Sequence, residues 1–304
     1  MVAVSVDGGG VLAATLRARA GEHPDVTVAS DHAAADVCIA AGGRPAAVDL
    51  PLVVPSVRQS TAAGPGDVTV AGFWGGLGSL LAATAVAEAD DPREVHVAYG
   101  FPGARRLVRR ASRGLRDDLV GVATDEAVAK VDGALVPEPL GEGRRLAWFP
   151  KPVGPAHAVA AGGLEHRVHL GVPTVRTWIA SRALTAELLQ AIGRLDPATG
   201  VGAWLRQRAQ AGGGVAGATS DVRWAVVVEC RNADGGIVRA WANGTDPVAA
   251  AADLLLIAAG RVAAGHMAAD GTVAGLGDVR GQLDAAADRR ALRWSVSRPE
   301  PSQR

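Results

Sequence analysis

Cysteine is nearly missing from this chain of 304 residues, with Cys38 and Cys230 the only two. They cannot build a disulfide framework, and neither belongs to a CxxC or Cys/His spacing that would hold zinc. A reducing compartment follows, and the expected location is the cytoplasm. Net charge is missing as well: 31 Lys and Arg balance 31 Asp and Glu. Affinity for phosphate backbones comes from clustered cations, and no basic tail breaks the balance, so no nucleic-acid partner is expected. No uncharged run reaches the roughly 18 apolar residues of a membrane span. Residues Met1 to Asp7 lack the cationic start of a signal peptide, so neither a membrane partner nor export is expected. G-x-S-x-G, HExxH, P-loop and paired-carboxylate signatures are all absent, which argues against hydrolase, metalloprotease and NTPase classes.

Lysine and tyrosine are also scarce. Only Lys130 and Lys151 among the 31 basic residues are lysine, beside 39 Gly and abundant Ala, the mark of a GC-rich coding bias. Arginine therefore counts as evidence for anion binding only where a motif places it. With one Tyr and three Phe, the seven Trp supply most of the aromatic surface.

What is present reads as α/β. The β-branched run Val2 to Val6 ends at Asp7-Gly8-Gly9-Gly10 and passes into the helical pattern Val11 to Arg17. A second strand, Val26 to Ser30, follows the helix-breaking His23-Pro24 and completes a βαβ unit. Further strands are expected at Asp36 to Ala41, Val48 to Val54 and Val68 to Gly72, then a helix from Gly75 to Glu88. The charged break Asp90-Asp91-Pro92 sets a boundary between a Rossmann-like nucleotide-type domain, 1–92, and an α+β substrate and dimerisation domain, 93–246. Arg105 to Lys130 is expected to be helical in pieces. Strands follow at Val95 to Tyr99, Arg145 to Phe149, Arg176 to Ile179, Arg223 to Arg231 and Ile237 to Ala242, the last two joined by the hairpin signal Asp234-Gly235. This second sheet is expected to be antiparallel, with an exposed edge that allows a homodimer. Asp246 caps and Pro247 opens a helix over 247–265 that packs back on the first domain. Within the C-terminal segment 266–304, Leu292 to Val296 reads as a strand and Arg298 to Arg304 as a frayed tail.

Gly8, Gly10 and Ala13 fit G-x-G-x-x-A after a strand and at a helix start, where glycines let a pyrophosphate approach the helix N-terminus. Asp31, ending the second strand, stands where an acidic residue bonds the ribose hydroxyls of a dinucleotide. The competing explanation is a chance match in a glycine-rich chain. Only Asp31 to Ala35 separate the second strand from the third, too few for a helical crossover. Either elements have been lost here or the strands are arranged differently from the usual sheet.

Several segments carry a family resemblance. Val68-Thr69-Val70-Ala71-Gly72-Phe73-Trp74-Gly75-Gly76-Leu77-Gly78-Ser79-Leu80-Leu81-Ala82 resembles the strand-to-helix segment of saccharopine dehydrogenase-like proteins. Tyr99 to Gly103, Phe149 to Pro155, Val175 to Ser181 and Ala242 to Pro247 are similar to later blocks of that family. Trp74-Gly75 stands where the family often has a small residue and Pro. The resemblance implies a Rossmann-type domain, an antiparallel substrate domain, and NAD(P)H-linked reduction of a C=N, C=O or C=C bond in a small molecule between them. The alternative is a non-redox cyclase, isomerase or lyase of specialised metabolism that has lost the cofactor; a third is a ligand-binding or scaffolding protein without catalysis.

At such a junction Trp74 contributes a bulky ring. Tyr99, the single tyrosine, is either a proton donor or a phenol satisfying a backbone group. His157 follows the Lys151 to Pro155 loop and is the other catalytic candidate. Arg176 and Trp178, two apart on a strand, share a face and could clamp a carboxylate and stack a substrate, or be a surface Arg beside a core Trp. His166 and His169, three apart, fall on opposite faces, so no metal site is expected.

Overall fold

A computed structural model describes residues 1–8, 10–41, 50–54, 68–102, 128–138, 140–161, 165, 170–181, 222–267 and 276–297. Strand β1 (Val2–Asp7) puts Val4 in the core and leads through Gly8, at φ 104°, into α1 (Gly10–Ala20), whose first residue has φ 89°. Both angles lie in the left-handed region that only glycine enters cheaply, so the turn depends on these residues. β2 (Val26–Val28), β3 (Val37–Ala40), β4 (Leu52–Val54) and β5 (Val68–Val70) join β1 in a parallel sheet of order β2-β1-β3-β4-β5.

The short link between β2 and β3 is explained by register. β2 pairs with the first half of β1, Val28 opposite Val4, and β3 with the second half, Val37 opposite Val4 again. The chain therefore only steps sideways across β1, and no crossover helix is needed to return along a strand. The step is a 3-10 turn, His32–Ala34. His32 Nδ1 lies 2.9 Å from Ser5 Oγ, and the Asp36 carboxylate accepts from Ala3 N at 2.8 Å. Val4 shares a core with Leu12 and Leu16 of α1, and Ser5 alternates to the other side, so the turn crosses the face opposite α1.

After β5 an irregular wide turn, Phe73–Leu77, leads into α2 (Gly78–Ala87) and then β6 (Pro92–Phe101), a strand longer at both ends than the Val95 to Tyr99 stretch suggests. β6 lies inside a nine-stranded sheet with β7 (Val128–Val131), β8 (Ala134–Pro137), β9 (Arg144–Trp148), β10 (Pro155–Ala160), β11 (Thr174–Ser181), β12 (Trp224–Asn232), β13 (Ile237–Gly244) and β14 (Arg293–Ser297). Its order is β14-β13-β12-β6-β11-β10-β9, with the β7–β8 hairpin beside β11. The expectation of an antiparallel sheet is corrected here: β11 runs parallel to β6 over eight residue pairs, so the sheet is mixed.

The Arg105 to Lys130 expectation is also corrected where it is described, since Val128 to Lys130 is strand; residues 103–127 lie outside the described residues. His166, His169 and the tail 298–304 lie outside them too. The β7–β8 turn, Asp132-Gly133, has φ 49° and 84°, the two positive angles of a type I′ hairpin. It is the same dipeptide as Asp234-Gly235, whose Asp234 carboxylate accepts from Gly236 N at 2.8 Å.

One face of the large sheet, bearing Val95, Val97, Tyr99, Phe101, Ile179, Val226 and Val228, packs into the main core with α2 and the parallel domain. The other carries small side chains, Ala98, Ala158, Ala160, Ala180 and Ala225, around Phe149 and Trp178. On that face Arg145 of β9 forms an ion pair with Glu229 of β12, although β10, β11 and β6 lie between them. Four spacings of about 4.8 Å on a flat sheet exceed what the two side chains can bridge together. The sheet therefore curls, with this face concave, and small residues line it because the curl leaves little room.

α3 (Pro247–Ala263) is capped by Asp246, whose carboxylate accepts from Val248 N and Ala249 N at 3.0 Å. It lies against α1 and the parallel sheet, and Asp253 is held there by both Nε and Nη2 of Arg19. α4 (Val279–Asp288), capped by Asp278, completes the core against α2 and α3. No described helix is long and apolar enough to cross a membrane.

Candidate functional site

The carboxyl ends of β1 and β3 meet the Gly8 to Gly10 turn and the amino end of α1. No acidic side chain occupies the first turn of α1, and among the described residues a side chain added at Gly10 would meet nothing within 4 Å. Open space over backbone N–H groups at a helix start suits an anionic phosphate. Ala13 is fully buried under this turn, where a small residue lets the helix sit close to the strand.

Asp31 stands differently. Its carboxylate accepts from Ala34 N at 3.0 Å and so caps the 3-10 turn. β2 ends opposite Val4, three residues before Asp7 closes β1, a gap of about 10 Å at 3.3 Å per residue. The glycine turn leaves room for a phosphate, whereas β2, the strand that leads to Asp31, stops short of it.

At the junction of the two sheets, Gly75 (φ 79°) turns the chain so that Trp74, Phe73 and Tyr99 cluster, with Trp74 and Tyr99 ring centroids 4.4 Å apart. The Trp74 indole nitrogen is buried without a hydrogen-bond partner in the structure. The Tyr99 phenol is fully enclosed: it donates to Glu165 Oε1 at 2.5 Å and accepts from Gly75 N at 3.1 Å. Thr177 Oγ1 donates to the other Glu165 oxygen at 2.6 Å. Burial, then the Glu165 charge, raises the Tyr99 pKa well above its ordinary 10, so the phenol keeps its proton. Gly78 packs so closely on Tyr99 and Glu165 that no Cβ fits there. This network ties the turn before α2, β6, β11 and Glu165 together. Beside it, a narrow crevice is lined by Ala71, Gly72, Gly76, Leu80, Leu254 and Gln282, among others.

Arg176 and Trp178 do share a face, but it is the concave one. In the register Trp178 stands opposite Ala98 and Ile179 opposite Tyr99, so Tyr99 points to the other side of the sheet. The joint role of Tyr99 as acid with Arg176 and Trp178 as clamp is therefore corrected: one pocket cannot hold all three. Arg176 Nη1 is 3.0 Å from Glu138 Oε1. The Trp178 ring is covered by the Arg145 guanidinium, 5.5 Å from its centroid, and its N–H donates to His96 Nδ1 at 3.1 Å. His96 Nε2 lies 3.3 Å from Glu94, which fixes a neutral imidazole with its proton on Nε2. Burial, assisted by Arg145 and Arg231, pushes the His96 pKa down to about 3. His157 sits within β10 rather than on the preceding loop, exposed, and alternates with Ala156 and Ala158 onto the face that Tyr99 uses.

Glu165, His96 and Glu138 escaped the sequence reading. Glu165 and Glu138 carry no periodic or motif signal, and the Trp178 to His96 contact joins residues 82 positions apart. Among the described residues no group of three or more His, Cys, Asp or Glu could hold a metal ion.

A parallel sheet with a glycine turn at its carboxyl edge, joined to a larger mixed sheet, defines a Rossmann-like α/β fold. Among solved structures, the chain is similar to apo saccharopine dehydrogenase (L-Glu forming) from Saccharomyces cerevisiae, with TM-score 0.52, 12% identity, and coverage of 98% of this chain and 100% of that one. A dehydrogenase (MviM) from Clostridium difficile matches at TM-score 0.30 and 9% identity over 80% of each chain. No family model and no curated protein sequence matches the chain.

Proposed function

We propose that the protein is an oxidoreductase that uses a nicotinamide dinucleotide to reduce a C=N, C=O or C=C bond of a small molecule bound at the junction of its two sheets. The observation that carries this reading is the β1–Gly8–Gly10–α1 turn at the carboxyl edge of a parallel sheet, with open space above Gly10. Similarity of fold to a saccharopine dehydrogenase supports it. In this reading the backbone of Gly8 and Gly10 and the start of α1 hold the pyrophosphate, and Ala13 lets the helix sit close. The bound cofactor supplies the hydride.

The remaining chemistry belongs to the chain. Tyr99 orders the junction by holding Gly75 N and Glu165, and its proton is committed there. His157, exposed on the same face, is the free candidate for delivering a proton to the reduced centre. Trp74 presents an indole N–H with no protein acceptor, available to a substrate oxygen or nitrogen once the junction opens. Arg176 and Trp178 shape the concave face of the large sheet and take no part in this step.

Titrating the protein with NADH and with NADPH while following nicotinamide fluorescence tests the reading. Binding of either below about millimolar concentration supports it, and absence of binding of both overturns it. One observation favours a second reading, a non-redox cyclase, isomerase or lyase on the same fold: Asp31 serves as a cap and β2 stops short of the glycine turn. Turnover of a candidate substrate without any nicotinamide would decide for it.

A further inference from the structure

From the stagger of β2 we infer that Asp31 is not a ribose ligand and that the chain does not discriminate between NADH and NADPH; this rests on the dinucleotide reading above. In a Rossmann unit the acid ending the second strand stands level with the glycine turn, where it bonds the ribose 2′-hydroxyl and repels a 2′-phosphate. Here β2 stops pairing at Val28 opposite Val4, while β1 runs on to Asp7 before the glycines. The chain then turns across β1 instead of continuing upward, touching it through His32 at Ser5 and through Asp36 at Ala3. Asp31 Oδ1 is already engaged by Ala34 N, and the extended backbone of Asp31, φ −145° and ψ 170°, is that of a helix-capping residue.

The chain crosses β1 at the level of Ser5 and Ala3, before the glycine turn, and the Asp31 carboxylate serves that crossing rather than a 2′-phosphate at the turn. The feature that in other Rossmann units selects NADH has here become part of the β2–β3 crossing. Among the described residues, Asp31 is the acid that follows β2, and its carboxylate is engaged in the turn.

The test compares wild type, Asp31→Asn and Asp31→Ala in direct titrations with NADH and NADPH, alongside thermal unfolding without nucleotide. Asn caps as well as Asp, so Asp31→Asn removes the charge and keeps the turn, whereas Asp31→Ala removes both. The expected result is that NADH and NADPH bind within threefold of each other and that Asp31→Asn changes neither. Asp31→Ala should lower the unfolding midpoint by about 2 °C while Asp31→Asn leaves it in place. NADH binding at least tenfold tighter than NADPH, with the gap narrowed by Asp31→Asn, would overturn the inference. Equal midpoints for all three proteins would overturn the capping role. Failure of either nucleotide to bind would instead overturn the dinucleotide reading, and this inference with it.

Discussion

Tyr99→Phe separates the two roles open to the single tyrosine. The substitution removes only the phenol oxygen, so shape and apolar contacts with Phe73 and Trp74 stay. Glu165 Oε1 and Gly75 N–H both lose the phenol oxygen in a site with no solvent access. A hydrogen bond to a charged group contributes about 1.5–3 kcal/mol, and leaving a buried donor unsatisfied costs about 1–3 kcal/mol. Allowing for partial relaxation, the loss should be about 3–5 kcal/mol. At roughly 2 °C per kcal/mol for a chain of this size, the unfolding midpoint should fall by about 6–10 °C. Urea denaturation should show a lower midpoint with an unchanged slope, the signature of lost stability without altered compactness. A double-mutant cycle with Glu165→Gln should give a coupling above about 1 kcal/mol, since the two groups share one hydrogen bond. Stability within about 0.5 kcal/mol of wild type, together with abolished turnover, would refute the structural role and restore Tyr99 as the catalytic acid.

Other consequences follow from the same geometry. Gly78→Ala places a methyl group against Glu165 and Tyr99 closer than 3.0 Å, and should cost at least as much stability as Tyr99→Phe when measured by the same denaturation. Asp253→Ala leaves Arg19 without its carboxylate between α1 and α3, and should destabilise by about 3–5 kcal/mol, readable as a shift of the calorimetric midpoint. Burial lowers the pKa of His96 to about 3 and that of His23 to about 4, from an ordinary 6.5. Between about pH 6.5 and those values the unfolded chain takes up protons that the folded chain refuses. Stability should therefore fall with decreasing pH, by up to about 1.4 kcal/mol per pH unit for each histidine, and a flat profile from pH 7 to 5 would contradict both environments.

Local signals were legible where one short stretch of chain settles the structure. The β1 valines with Gly8 and Gly10, the Asp246-Pro247 helix start and the Asp234-Gly235 hairpin each carry their physics within a few residues. Asp132-Gly133 is the same dipeptide as Asp234-Gly235 and closes a tighter, two-residue turn, yet the arginine-rich stretch before it masked the alternation of β7 and β8. The stagger of β2 against β3 was not legible, because the register depends on which half of β1 each strand meets; the five-residue link signalled only that something differed. The candidate site was legible as residue types and not as an assembly. Arg176 and Trp178 were correctly placed on one face by their spacing. That Tyr99 faces the other way follows from the pairing of β11 with β6, more than 70 residues distant in the chain, which no local pattern encodes. Glu165, the partner that defines the environment of Tyr99, announces itself only through burial.

The most direct test of the central claim, that the Gly8 to Gly10 turn holds a dinucleotide pyrophosphate, is a nicotinamide fluorescence titration of wild type and Gly10→Val side by side. At φ 89°, in open space, a valine strains the turn and its side chain fills the approach to the α1 amino end. Wild type should bind NADH or NADPH below about millimolar concentration, and Gly10→Val at least tenfold more weakly with the same circular dichroism spectrum. Equal binding by the two proteins, or none by either, would contradict the account.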